Sequence, residues 1–277
     1  MRLIILVSIT MLAFAANSIL NRMALTESEA GAASFAALRL LSGALMLVAI
    51  VQMRGQTTNW RLTHVAGPLS LLAYVIGFSF AYLSLDAGLG ALILFGGVQI
   101  TMFAGALLRG ESVPIMRWVG AGFAFAGLSF LMWPSGTAPV PLLGAGLMLG
   151  AALGWGIYSL LGAGAADPLG ATARNFLWAT PLGLLPAFFM WDGMSPVGAL
   201  LAVLSGALTS GLGYALWYRV LHELPASVAA VAQLTVPIIA LAGGIVFIGE
   251  EMTWRFLVAA LMVLGGVVLS LYRAKAD

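Results

Sequence analysis

From Ala87 to Leu108 no side chain carries a charge. At a rise of about 1.5 Å per residue, such a run makes a helix long enough to cross the ~30 Å hydrocarbon core of a bilayer. In that solvent each backbone N–H and C=O must find its partner within the segment, and a lone segment can do this only as a helix. The runs that qualify, this one included, lie at 3–22, 31–52, 66–85, 88–108, 114–132, 142–162, 170–190, 196–218, 227–248 and 254–272. Turn signals fall between them: Gln56 to Asn59, Trp133-Pro134-Ser135-Gly136, Asp167-Pro168 and Trp191-Asp192-Gly193. The expected fold is all-α, a polytopic membrane protein of ten transmembrane helices. Composition agrees, with 62% of residues hydrophobic and 8% charged; soluble domains run at about 45–50% and 25% and need those polar residues to face water. The first run begins like a signal peptide and reaches Ala13-Phe14-Ala15, but it continues to Leu20 and is read as the first span.

Two polar knots interrupt the apolar pattern, Arg109-Gly110-Glu111 and Gly249-Glu250-Glu251. Their Gly-Glu pairs are 139 residues apart (249 − 110), about half the chain. The same shift superposes Gly31-Ala32 on Gly170-Ala171, Gly67 on Gly206, Ala87 on Ala226 and Gly127 on Gly266. Each half then holds five spans, and an odd number turns the second half upside down in the membrane. Residues 1–135 and 136–277 are therefore expected to form two inverted five-helix repeats. With the N-terminus in the cytoplasm, Arg2, Arg54, Arg61, Arg109, Arg117, Arg174, Arg219, Arg273 and Lys275 all face inward. Arg22 and Arg255 fall outside and Arg39 lies within a span, so the positive-inside rule predicts N-in and C-in.

Several functional classes are excluded by what the chain lacks. It has no Cys, and Lys275 is its only Lys, so neither a thiolate metal site nor a phosphate-binding loop is possible. His64 and His222 have no ligand-spaced partner, which leaves no metal and no cofactor to expect. A net charge of +2 with scattered basic residues gives no nucleic-acid partner. No nucleophile–base pair stands at depth, so the chain is not expected to be an enzyme.

Trp155-Gly156-Ile157-Tyr158-Ser159, Leu224-Pro225-Ala226-Ser227, Pro237 and Gly249-Glu250 together resemble the drug/metabolite transporter superfamily, and within it the EamA-type proteins. Phe14-Ala15-Ala16-Asn17-Ser18 and Val98-Gln99 give the first half a weaker version. The general pattern is most similar to the YddG-type exporters of aromatic and other neutral amino acids. That resemblance implies a bacterial inner-membrane exporter, acting as a monomer among lipids, that moves a small-molecule substrate by alternating access. It also implies that spans one, three, four, six, eight and nine line the cavity. Those spans carry Asn17; Tyr74, Phe78 and Tyr82; Phe95 and Gln99; Trp155 and Tyr158; Tyr214; and Gln233, the expected substrate-binding residues.

Spacing makes Tyr74, Phe78 and Tyr82 one helical stripe. Gln99 and Gln233 stand well inside their spans, where an amide facing lipid is costly, so each faces cavity or protein, as substrate ligand or as helix glue. Trp217 and Tyr218, beside Arg219, read as interfacial belt residues. Gly146, Gly150 and Gly154 read as a small face for helix packing. Arg39, about two turns from a helix end, reads as structural: it either pairs with a neighbouring helix or snorkels. No Asp or Glu lies deep in a span, which favours facilitated diffusion over proton coupling. An aromatic, amide-bearing, nearly uncharged cavity suits a zwitterionic neutral amino acid; the alternative cargo is a hydrophobic drug or other small metabolite.

Overall fold

A computed structural model describes residues 2–55, 58–62, 64–108, 115–133, 140–162, 165–223, 232–233 and 235–271. The first Gly-Glu knot, Leu224-Pro225-Ala226-Ser227, Arg273 and Lys275 lie outside them. Among the described residues the structure is helical, with no strand. The helices are α1 (Arg2–Thr26), α2 (Ala32–Met53), α3 (Ala66–Ala81), α4 (Ala87–Leu108), α5 (Ile115–Met132), α6 (Leu142–Gly162), α7 (Pro168–Met190), α8, α9 (Thr235–Ile248) and α10 (Trp254–Leu271). The eighth is continuous but composite: α-helix Pro196–Leu204, π-helix Ser205–Leu212, then α-helix Gly213–Glu223. Among the described residues, four helices are long and apolar enough to cross a membrane by length and composition: Arg2–Thr26, Ala32–Met53, Leu142–Gly162 and Pro196–Val220. Shorter apolar helices lie in α3, α4, α5, α9 and α10.

Local chemistry explains where helices start. Asp167-Pro168 and Ser195-Pro196 each place a capping oxygen before a proline at the first helical position, where the missing N–H costs nothing. The Asp167 side chain accepts from Gly170 N–H and Ser195 Oγ from Gly198 N–H, each at 3.0 Å. At the far end of α9, Gly249 turns the chain with φ 71°, a left-handed conformation that favours glycine, and Glu250 N–H bonds back to Gly244 O at 3.1 Å. The second Gly-Glu pair is thus a helix stop that throws its glutamate back across the bundle.

Packing is pairwise. α5 lies along α10, α2 along α7, and α4 against α9. α3 packs on α6 and α1 on α8; α4 packs on α6 and α1 on α9; α2 packs on α8 and α3 on α7. The outer surface is apolar, with Leu45, Phe188, Phe189, Val246 and Leu261 exposed. That surface is the reverse of a soluble protein's and fits a lipid solvent.

Two expectations are corrected, and a third is decided between its alternatives. Trp217 and Tyr218 are buried inside the bundle rather than placed on an interfacial belt, and the Trp217 ring meets Phe14 edge-on at 5.6 Å. Of the glycine stripe only Gly154 packs: a Cβ there would lie 2.7 Å from Ser70 O. Gly146 and Gly150 instead line an apolar groove of about 600 Å³ between α3 and α6, open on the surface. Arg39 does not snorkel. It is fully buried, and it pairs with neighbouring helices through hydroxyl groups.

Candidate functional site

Aromatic rings from α1, α3, α4, α6 and α8 meet at the centre of the bundle. Phe14 is the hub, 5.9 Å from both Trp155 and Tyr214 and 6.5 Å from Phe95. Trp155 is 4.7 Å from Tyr214 and 5.0 Å from Tyr74, and Tyr74 is 5.3 Å from Phe78. Phe14, Asn17, Ser18, Tyr74, Phe78, Leu94, Phe95, Trp155 and Tyr214 wall a single cavity. Its free volume is about 10 Å³, room for about one water. Ordinary ligand pockets begin near ~300 Å³, so the site is closed in this conformation.

One edge of the cavity is polar, and the π-helix builds it. A π turn widens the helix by one residue, and such turns concentrate at functional sites. Here the widening lets Ser205, Thr209 and Ser210 reach two other helices. Ser205 Oγ and Thr209 Oγ1 donate to Asn17 Oδ1 at 2.6 and 3.1 Å, while Asn17 Nδ2 donates to Tyr74 Oη at 3.3 Å. Arg39 Nε donates to Ser210 Oγ at 3.1 Å, and its Nη2 to Tyr74 Oη at 3.0 Å and Tyr214 Oη at 3.2 Å. The guanidinium also lies over the Tyr74 and Phe78 rings, 5.1 and 5.0 Å from their centroids, which stabilises a buried cation. Gly206 permits the approach of α8 to α2, since a Cβ there would lie 2.2 Å from Arg39 O.

The fold is shared with a crystal structure of another protein, at a TM-score of 0.66 and 18% identity over 95% of this chain and 98% of that one. Residues 142–272 match the model of the EamA-like transporter family. An uncharacterized protein of Pseudomonas aeruginosa is 46% identical over 98% of this chain and 94% of its own length. The threonine/homoserine exporter RhtA of Escherichia coli is 32% identical over 80% of this chain and 76% of its own. The chain belongs to the EamA-like transporter family. It is a multi-pass membrane transporter of the drug/metabolite transporter superfamily, and those of its relatives that carry a functional name are transporters.

Within this EamA-like chain the structure brings Asn17, Tyr74, Phe78, Phe95, Trp155 and Tyr214 together in one cavity wall. Tyr82 stands behind Phe78 at 4.7 Å with its hydroxyl on Ala87 O, and Tyr158 stacks on Trp155 at 5.7 Å. Gln99 and Gln233 are not in the wall, although Gln233 is buried and Gln99 Nε2 is enclosed without a hydrogen-bond partner among the described residues. Sequence reasoning passed over Phe14 as a wall residue and missed the hydroxyls of the π-helix. It saw Arg39 but placed it away from the site. Its isolation as a charge in an apolar span was the available signal.

At one end of the bundle, Glu250 Oε1 accepts from Ala87 N–H at 2.7 Å and so caps α4. Arg22 lies 3.8 Å from the same carboxylate, 3.4 Å from Asp86, and donates to Tyr82 O at 2.8 Å. Burial pushes the Glu250 carboxyl above the usual 4.5, opposed by Ala87 N–H and Arg22. At the same end Asp192 caps α2 through Ala33 and Ser34 N–H at 2.7 and 3.0 Å. At the other end His64, Thr172, Arg174, Asn175 and Tyr218 line a recess of about 230 Å³. Tyr158, between Trp155 and Tyr218 at 5.7 and 6.4 Å, separates that recess from the central cavity.

Proposed function

We propose that this transporter exports neutral amino acids, aromatic ones included, by alternating access between two inverted halves, residues 1–135 and 136–277. The observation that carries the reading is the central cavity, ring-walled on most sides and polar along the Asn17–Tyr74 edge. Rings suit an apolar or aromatic side chain, and the polar edge suits the amino-acid backbone. The threonine/homoserine specificity of the E. coli relative supports the same substrate class.

The helix pairings support the inverted-repeat reading. Adding five to each helix number turns the α3–α6 contact into α8–α1, α4–α6 into α9–α1 and α2–α8 into α7–α3, and returns α2–α7, α4–α9 and α5–α10 to themselves. Charge asymmetry puts both termini in the cytoplasm and the Glu250 end outside. On this reading the outer end is held shut by Arg22, Asp86, Glu250 and Asp192, and the Arg174 recess is the beginning of the inner path. Asn17, Tyr74, Phe78, Phe95, Trp155 and Tyr214 contact the substrate. Tyr82 and Tyr158 back them, and Gln99 and Gln233 enter the site when it opens. No carboxylate stands beside the cavity among the described residues, so transport follows the substrate gradient without a proton.

The test is uptake of labelled phenylalanine and threonine into proteoliposomes holding purified protein, with and without a proton ionophore. Saturable uptake indifferent to the ionophore is expected. No uptake of either amino acid by folded protein in sealed vesicles would sink the reading and send the search to hydrophobic drugs, the cargo the apolar walls would next best suit.

A further inference from the structure

Arg39 is a positive charge at the centre of an apolar bundle, with no exposed surface and no carboxylate within salt-bridge distance among the described residues. An ion taken out of water without a counter-ion is among the costliest groups a membrane helix can hold. Three hydroxyl oxygens and two ring faces offset part of that cost, but Nη1 has no hydrogen-bond partner among the described residues. The protein holds the cation without neutralising it.

In front of Arg39 the Tyr74 and Asn17 oxygens are already used as acceptors. Tyr74 Oη accepts from Arg39 Nη2 and from Asn17 Nδ2, which occupies both lone pairs and leaves its O–H only to donate. Asn17 Oδ1 accepts from Ser205, and the Thr209 hydroxyl, 3.1 Å away, shares its one proton between Asn17 Oδ1 and Ser205 O. Beside Tyr74 and Tyr214, Trp155 Nε1, a donor only, is buried without a partner among the described residues. The cavity therefore presents spare donors, backed by an uncompensated positive charge; Ser18 Oγ, also in its wall and without a hydrogen-bond partner among the described residues, can donate as well. A group with several lone pairs and one negative charge complements all of this at once.

We propose that Arg39 is the positioning residue for a substrate carboxylate. The carboxylate accepts from the Tyr74 and Tyr214 hydroxyls, and Arg39, one layer behind, supplies the counter-charge. With Asn17 Oδ1 already engaged by the π-helix hydroxyls, the substrate's ammonium group rests on the ring faces of Phe14 and Trp155, which attract cations. The inference rests on the amino-acid reading above and adds to it the chemical group that the site requires.

The deciding experiment is equilibrium binding of labelled phenylalanine to purified protein, with competition by unlabelled phenylalanine and by phenylalaninamide, which keeps the ring and amine but has no carboxylate. Wild-type protein should prefer phenylalanine by about tenfold or more, as expected for a charge-assisted contact shielded from water. In Arg39→Met that preference should collapse towards unity, while Arg39→Lys, which keeps a point charge, should retain part of it. A helix-packing role alone would weaken both ligands together and leave their ratio unchanged. Equal binding of acid and amide by wild type would overturn the carboxylate anchor and leave the amino-acid reading standing, and this comparison needs no variant to fold. Binding of neither phenylalanine nor threonine by wild type would overturn the amino-acid reading, and the anchor with it.

Discussion

At the scale of single residues, Asn17 holds three helices at once: it accepts from Ser205 and Thr209 and donates to Tyr74. Asn17→Ala strands buried hydroxyls and should destabilise the protein by about 1–3 kcal/mol, visible as a lower unfolding temperature in detergent. Trp155 tests the wall instead. Trp155→Ala removes the ring that meets Phe14, Tyr74 and Tyr214 and should lower phenylalanine uptake by about tenfold or more, whereas Trp155→Phe should keep most of it. Asn17 and Trp155 were legible in the sequence because an amide and an indole inside apolar spans are conspicuous. Ser205, Thr209 and Ser210 were not, since hydroxyl side chains are common in membrane helices and ordinarily bond their own backbone. The π turn brings them within reach of Asn17 and Arg39 as well, and nothing in the hydrophobic periodicity announces it.

At the scale of elements, the turn after α9 locks one end of the bundle by placing Glu250 on the first N–H of α4. The chain has no cysteine, so a single one serves as a clean reporter of access. With Ser18→Cys in the cavity wall, labelling by a membrane-impermeant thiol reagent from the Glu250 side should be slow. Adding Glu250→Ala should speed it by about tenfold, the equivalent of roughly 1.4 kcal/mol in the closing equilibrium. The pH dependence has a definite sign. The closed end raises the carboxyl's affinity for a proton, so closure is favoured in full below the ordinary value of 4.5 and loses that contribution as pH rises through the raised value. Labelling, corrected for thiol ionisation against Glu250→Gln, should accelerate across that window. Helix positions were legible because the bilayer fixes the length of each run. The exact stop of α3 at Ala81 was less so, because the polar ring of Tyr82 and the following turn remain apolar enough to extend the pattern.

At the scale of the whole molecule, the Gly-Glu echo is the sequence feature on which the proposed inverted repeat rests, since a duplication would preserve spacing even where side chains diverge. The proposed inversion makes a further claim that fusion reporters can check. A reporter active only in the cytoplasm should work on the C-terminus and fail after Asp192, and a reporter active only outside should do the reverse. What the sequence could not convey is depth, since spacing places residues on faces but does not say that five helices bring their rings to one point. Nor could it convey that the point is closed.

That closure has a consequence for the cell. Protons cross membranes along unbroken files of water, and a space with room for about one molecule, set before a fixed positive charge, supports no such file. In this conformation the central cavity is an insulator. A cell could carry many copies without short-circuiting its energised membrane.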